Sequence, residues 1–274
     1  MYPIDSRRET VTSAQRIVIK VGTSTITHDS GRFNLTNMEN LCRSIANQMN
    51  QGKEIILVSS GAIGVGVGRL RLAEKPKSIR DKQAVAAVGQ SELMNMYSRL
   101  MSDYNHIVAQ ILLTKDDIDE PQSRQNVTNT FEALLEKQIL PIVNENDTVS
   151  TREIYHNGTF GDNDMLSAIV AVLTRADLLV ILSDIDGLYD CDPRSHPEAC
   201  LLPHVERITD DIEDLAGGAG TKRGTGGMRS KILAARIATV AGVNTVIANG
   251  ARPHTIDAIL EQKAVGTLFA AGET

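Results

Sequence analysis

Short apolar runs rich in Val, Ile and Leu recur along the chain, and each ends in small or polar residues. They are RIVIKVGTST (16–25), EIILVSS (54–60), HIVAQILLT (106–114), ILPIVNEND (139–147) and DLLVILSD (177–184). Their length and β-branched content read as buried strands. Between them apolar residues return at helical spacing. Met38, Leu41, Cys42, Ile45 and Met49 mark one helix, with Thr36 as its expected N-cap and Gly52 closing it. Further helices are expected over roughly 82–102, 123–138, MLSAIVAVL and KILAARIATVAG. Strands alternating with helices predict an α/β fold with a mostly parallel sheet covered on both faces. No linker or low-complexity segment divides residues 15–274, which read as a single domain with two lobes, whereas the polar residues 1–14 are expected to be poorly ordered or surface-bound.

The first run carries a conflict. Lys20 interrupts an apolar strand, which is costly unless its ammonium meets an anion. It stands beside Gly22 and the hydroxyls of Thr23, Ser24 and Thr25, at the strand end where open α/β sheets bind ligands. A phosphate site fits; so does a snorkelling lysine before an ordinary turn. The second run passes into GAIGVGVG, which matches neither the dinucleotide fingerprint nor a P-loop. Tight packing of a helix on the sheet explains Gly64, Gly66 and Gly68 equally well. The basic residues between 69 and 82 read as a solvated loop.

Polar clusters gather at the later strand ends. Asn144-Glu145-Asn146-Asp147 and Gly161-Asp162-Asn163-Asp164 follow one another, and either alone is explained by capping. SDIDGLYDCDPR (183–194) leaves its strand through an Asp-Gly turn. GTKRGTGGMRSK (220–231) opens a helix with Lys231 in its first turn, where the helix dipole disfavours a cation unless an anion sits there too.

Composition narrows the choices. A net charge of −6 over 274 residues offers no broad basic face for nucleic acid. No apolar run reaches membrane-spanning length and residues 1–14 hold no hydrophobic signal segment, so a cytoplasmic protein without membrane contact is expected. Cys42, Cys191 and Cys200 suit neither a disulfide framework nor a four-ligand zinc site, and read as free thiols.

In order, IVIKVGTST, VSSGAIGVG, VAAVGQSEL, PIVNENDTV, FGDNDMLSA, SDIDGLYDCDPR and GTGGMRSK resemble the amino-acid kinase family. Within it they are most similar to the branch that phosphorylates the γ-carboxylate of glutamate, the first step of proline biosynthesis. The resemblance covers roughly residues 15–270. It implies a three-layer αβα sandwich, with a glutamate lobe over about 15–175 and a nucleotide lobe over about 176–274. It further implies that Lys20 contacts the transferred phosphate, that Lys231 lies at the nucleotide phosphates and that Asp164 organises both. Ser60, Gly61, Asp147 and Asn163 are implied to hold glutamate, and Ser183, Asp184, Thr225, Gly226, Gly227, Met228, Arg229, Ser230 and Lys231 the nucleotide.

ATP as co-substrate and Mg2+ follow from the resemblance, as do feedback inhibition by proline, a homo-oligomer and transient contact with a reductase that consumes glutamyl phosphate. No protein metal ligand is assigned. A carboxylate acceptor is already ionised at neutral pH, so no general base is needed. Alternatives are kinases of the same fold acting on N-acetylglutamate, aspartate, carbamate or UMP, and a non-catalytic proline- or glutamate-sensing subunit. Three departures are noted. The chain is expected to be the form without the C-terminal PUA domain of many bacterial members, Ser230 stands where threonine is common, and the loop 156–160 is longer than in some members.

Overall fold

The structure, a computed structural model, describes residues 3–149, 163–216 and 227–272. In chain order its elements are α1 (Glu9–Thr12), β1 (Arg16–Val21), α2 (Thr23–Ile26), α3 (Leu35–Asn50), β2 (Glu54–Ser59), α4 (Ala62–Leu70), α5 (Ile79–Ser102), β3 (Val108–Leu113), α6 (Lys115–Asp119) and α7 (Pro121–Leu135). There follow β4 (Leu140–Glu145), α8 (Asn163–Leu173), β5 (Leu178–Ser183), β6 (His204–Val205), α9 (Asp210–Leu215), α10 (Met228–Val240), β7 (Asn244–Asn249), α11 (Thr255–Leu260) and β8 (Thr267–Phe269). The strands form one sheet in the order β3-β4-β2-β1-β5-β7-β8-β6. Every pairing is parallel except β7 with β8.

Strand alternation divides the core into two layers of side chains. Ile17, Ile19 and Val21 of β1 pack with Met38 and Ile45 of α3, Leu93 and Tyr97 of α5, and Ile256 of α11. Val18 points the other way, toward Phe131 of α7, Leu166 and Val170 of α8, and Ile232 and Ala235 of α10. The sheet is thus sandwiched between helices, as expected. Lys20, two residues after Val18, falls on the α8 and α10 side.

β1 lies at the middle of the sheet and at its switch point, because the chain leaves it toward β2 on one side and returns to β5 on the other. Val21 pairs with Ser59 of β2 and Leu182 of β5, so three strands end level with one another. A crevice outside the carboxyl ends is the geometric result.

Two local expectations are corrected. The N-cap of α3 is Asn34, whose Oδ1 accepts from the Asn37 N–H at 3.2 Å, rather than Thr36. The close helix packing at Gly66 and Gly68 is not against the sheet, since a Cβ on Gly66 would meet the Val85 carbonyl of α5 at 2.1 Å and one on Gly68 would meet Gly31 at 2.5 Å.

Of the two expectations for the N-terminal segment, the surface-bound one fits from residue 3 onward, where it is docked. Arg8 is fully buried and donates to the carbonyls of Val265 at 2.6 Å, Gly266 at 2.9 Å and Pro203 at 3.0 Å. The Asp5 N–H donates to Gln262 O at 3.0 Å, and Lys53 Nζ holds Ala14 O at 2.6 Å. A guanidinium that satisfies three carbonyls can be buried at tolerable cost, which a polar composition does not reveal.

Arg71, Lys75 and Lys77 are exposed in the connection between α4 and α5, whereas Arg69 and Arg80, also exposed, stand on those two helices, so the solvated loop is shorter than expected. The three cysteines are free thiols, with burial pushing Cys42 up to about 12. Among the described residues no helix is long and apolar enough to cross a membrane.

Candidate active site

Asp164, in the first turn of α8, is completely buried under the end of β1. Its Oδ1 lies 2.5 Å from Lys20 Nζ and its Oδ2 lies 3.0 Å from Lys231 Nζ. Ser230 donates to the same Oδ2 at 2.9 Å, a bond that its single hydrogen shares with Gly227 O. Burial alone would push the Asp164 carboxyl up, but the Lys20 and Lys231 ammonium groups outweigh it and hold the carboxyl at about 2. Lys20 and Lys231 are themselves only 5% and 6% exposed. Two buried cations therefore share one buried anion at the end of β1.

The surrounding backbone is open to an anionic ligand. Gly22 follows β1, and a Cβ there would stand 3.7 Å from Lys20 Nζ, in the space beside the ammonium. Helix α10 begins on Gly227 and α4 on Gly61, in each case with no side chain capping the first amides. Gly61 has φ 107°, and a Cβ there would press on Ile26 at 3.0 Å, so glycine is required by conformation as well as space. Uncapped N–H groups beside buried lysines suit phosphate oxygens, and the residues present thus fit a nucleoside triphosphate.

A second, uncharged cluster adjoins the first. Asn163, the residue before Asp164, extends Nδ2 to Ser60 Oγ at 2.9 Å, Asn144 Oδ1 at 2.9 Å and Ser59 O at 3.1 Å. Asn144 Nδ2 in turn donates to Gln90 Oε1 of α5 at 2.9 Å. Behind this row, Ser59 and Tyr97 share a hydroxyl bond of 2.8 Å. Asp147 follows β4 by two residues, is half-buried, and burial pushes its carboxyl up to about 6.

The sequence-derived residues thus fall into groups. Lys20, Asp164, Ser230 and Lys231 are joined directly, and Asn163 links them to Ser60 and its neighbour Gly61. Ser183 is buried at the end of β5, donating to the exposed Asp184 at 3.2 Å. Gly227, Met228 and Arg229 lead into Lys231, with Arg229 exposed. Thr225, Gly226, Asp162 and the loop 156–160 lie outside the described residues. Gln90 is the member that sequence reasoning passed over, and Asn144 was noted only as part of a strand-end cluster without a role of its own. Their signal was a polar amide at a position where helix or strand period demands an apolar side chain.

The profile of the amino acid kinase family matches residues 15–249. Over 264 residues the chain is 53% identical to the glutamate 5-kinase of Clostridium perfringens, covering 96% of this chain and 98% of that one. The chain belongs to the amino acid kinase family, in its glutamate 5-kinase branch. Identity to the glutamate 5-kinase of Enterococcus faecalis is 52% over 265 residues, covering 97% and 98% of the two chains. Two solved structures share the amino acid kinase fold. UMP kinase from Bacillus anthracis superposes with a TM-score of 0.64 at 16% identity, over 95% of this chain and 97% of that one. An isopentenyl phosphate kinase gives 0.65 at 19%, over 93% and 100%. At such identities the likeness concerns the fold alone. Within an amino acid kinase, the Lys20–Asp164–Lys231 bridge sits at the sheet's ligand-binding edge.

Proposed function

We propose that the protein transfers the γ-phosphoryl group of ATP to the γ-carboxylate of glutamate, yielding glutamyl phosphate and ADP at the entry to proline biosynthesis. One observation carries the reading: a buried carboxylate holds two buried lysines, from β1 and α10, in a chain more than half identical to glutamate 5-kinases.

The chemistry follows from charge. Glutamate's carboxylate is a nucleophile without prior deprotonation, so the obstacle is its repulsion from the polyanionic nucleotide. Lys20 neutralises the phosphoryl group in flight, and Lys231 with the α10 amides holds the phosphates behind it. Asp164 keeps both ammonium groups charged and aimed, which costs nothing further at the moment of transfer. Ser60, Gly61 and Asn163 position the acceptor, and Asp147 pairs with its ammonium. That pairing favours glutamate over an N-acetylated relative, whose nitrogen carries no charge. Ser183, Asp184 and the segment from Thr225 to Ser230 flank the nucleotide.

Mg2+ is held in such sites largely by substrate phosphates and water, and when bound it would neutralise charge on the nucleotide. Among the described residues no group of three His, Cys, Asp or Glu side chains forms a cage for it. A cytoplasmic homo-oligomer, inhibited by proline and passing its labile acyl phosphate to a reductase, completes the reading. The test is ATP consumption with hydroxylamine trapping across glutamate, N-acetylglutamate, aspartate, carbamate and UMP. Glutamate-dependent hydroxamate is expected; turnover with another acceptor alone would overturn the assignment.

A further inference from the structure

One hydrogen-bond donor in the uncharged cluster has no partner, and its identity can be deduced. The backbone N–H of Glu145 donates to Asn144 Oδ1 at 2.9 Å, and a backbone N–H can only donate. The Asn144 amide is thereby oriented: its oxygen faces Glu145 and Asn163, and its nitrogen faces Gln90. Gln90 must answer with Oε1, so its other atom, Nε2, is left over. That nitrogen is buried and without a hydrogen-bond partner, on a side chain only 7% exposed. Buried amide donors are rarely left unmet, because the lost hydration is not repaid.

Its place in the fold says what should meet it. Gly89, the preceding residue, lies so close to α4 that a Cβ would stand 1.7 Å from the Ala62 carbonyl. Gln90 is therefore wedged between the Ser60-Gly61 turn and the end of β4. Lys20 is on β1, and β2 separates it from β4. Two strand spacings amount to about 10 Å, a span that an extended glutamate bridges with a hydrogen bond at each end. With the γ-carboxylate near Lys20 and the ammonium at Asp147, the remaining group of the amino acid is its α-carboxylate.

We propose that Gln90 is a specificity-determining residue whose Nε2 donates to the α-carboxylate of the substrate. The inference rests on the glutamate reading above and adds a contact to it. Gln90→Glu is the discriminating variant. It keeps the shape and the acceptor that Asn144 requires and replaces only the orphan donor, with an oxygen that repels a carboxylate once ionised.

Steady-state kinetics at pH 8.5, with glutamate and ATP each varied, test it. The glutamate KM is expected to rise about 10- to 100-fold, the range for losing a hydrogen bond to a charged group. The ATP KM is expected to stay near its native value. On lowering the pH from 8.5 to 7, above the range in which Asp147 loses its charge, the variant is expected to recover part of its glutamate affinity, since a protonated carboxyl at this position can donate again. A native glutamate KM in the variant would overturn the inference, and so would an equal rise in both KM values. If Gln90→Glu does not fold, Gln90→Met is expected to raise the glutamate KM similarly, and an unchanged value would overturn the proposal. Absence of glutamate turnover in the native protein would instead sink the assigned reaction.

Discussion

Helices α3, α5 and α7 start on a capping side chain, whereas α4 and α10 start on a bare glycine. Asn34 Oδ1 accepts from Asn37 N at 3.2 Å, Ser78 Oγ from Asp81 N at 3.0 Å, and the Glu120 carboxylate from Ser123 N. Gly61 and Gly227 offer no side chain to the amides that follow them. Leaving the sheet's C-terminal edge is not what separates the groups, because α6 leaves β3 there and carries a full capping box at Thr114 and Asp117. What the two glycine starts share is their place, since Gly61 follows Ser60 and Gly227 precedes Ser230 and Lys231, all members of the candidate site. Helix α10 goes further by setting Lys231 in its first turn, where a cap would be an acid, as Asp81 is in α5.

The contrast breaks most visibly at Lys20. Lys20→Ala is expected to lower kcat by about three orders of magnitude, roughly 4 kcal/mol of transition-state stabilisation, in a folded protein. Near-native turnover would remove it from the phosphoryl path.

A smaller effect belongs to Asp147. Its carboxyl, raised by burial to about 6, loses its charge as pH falls through that value. At pH 5 only about a tenth remains ionised, so kcat/KM for glutamate is expected to fall about tenfold per unit below 6 and to level off above 7. Asp147→Asn is expected to raise the glutamate KM and abolish that limb; a native pH profile in the variant would exclude the ammonium contact. At Asp164 the carboxyl is shifted in the opposite direction, and what acid removes there is stability. Its carboxyl is depressed to about 2 from an ordinary 3.8, so its contribution is complete above 3.8 and is lost as pH falls through 2.

The smallest effect is a control at a capped helix. Ser78→Ala is expected to cost about 1 kcal/mol of stability, measured by denaturant unfolding, and to leave both KM values unchanged. A kinetic change there would mean that capped and uncapped starts do not divide the molecule by function.

Two charged members of the candidate site stood out because each broke a local rule, Lys20 in an apolar strand and Lys231 at a helix start, whereas Asp164 read equally well as part of a helix cap. The parallel sheet was legible from alternation. The cap of α3 was misplaced by two residues because Asn34 and Thr36 are both good caps, and only the fold of the preceding turn chooses between them. Residues 3–14 were left between poorly ordered and surface-bound because Arg8 is buried by carbonyls 195 to 258 positions away, a distance no local pattern encodes. The short strands β6 and β8 carry two and three residues, too few for a period. Gln90 stayed hidden inside an otherwise regular helix, since its meaning depends on which way Asn144 is turned.

The most direct test puts a cap where none exists. Gly227 has φ −74° and ψ −172°, a conformation open to any N-cap residue, so Gly227→Asp supplies both a hydrogen-bond acceptor and a negative charge to α10. Isothermal titration with a non-hydrolysable ATP analogue and Mg2+ compares it with the native chain. Binding is expected to weaken at least about tenfold while the melting temperature holds or rises. Native affinity in the folded variant would contradict the claim that nucleotide phosphates take the place of the missing cap.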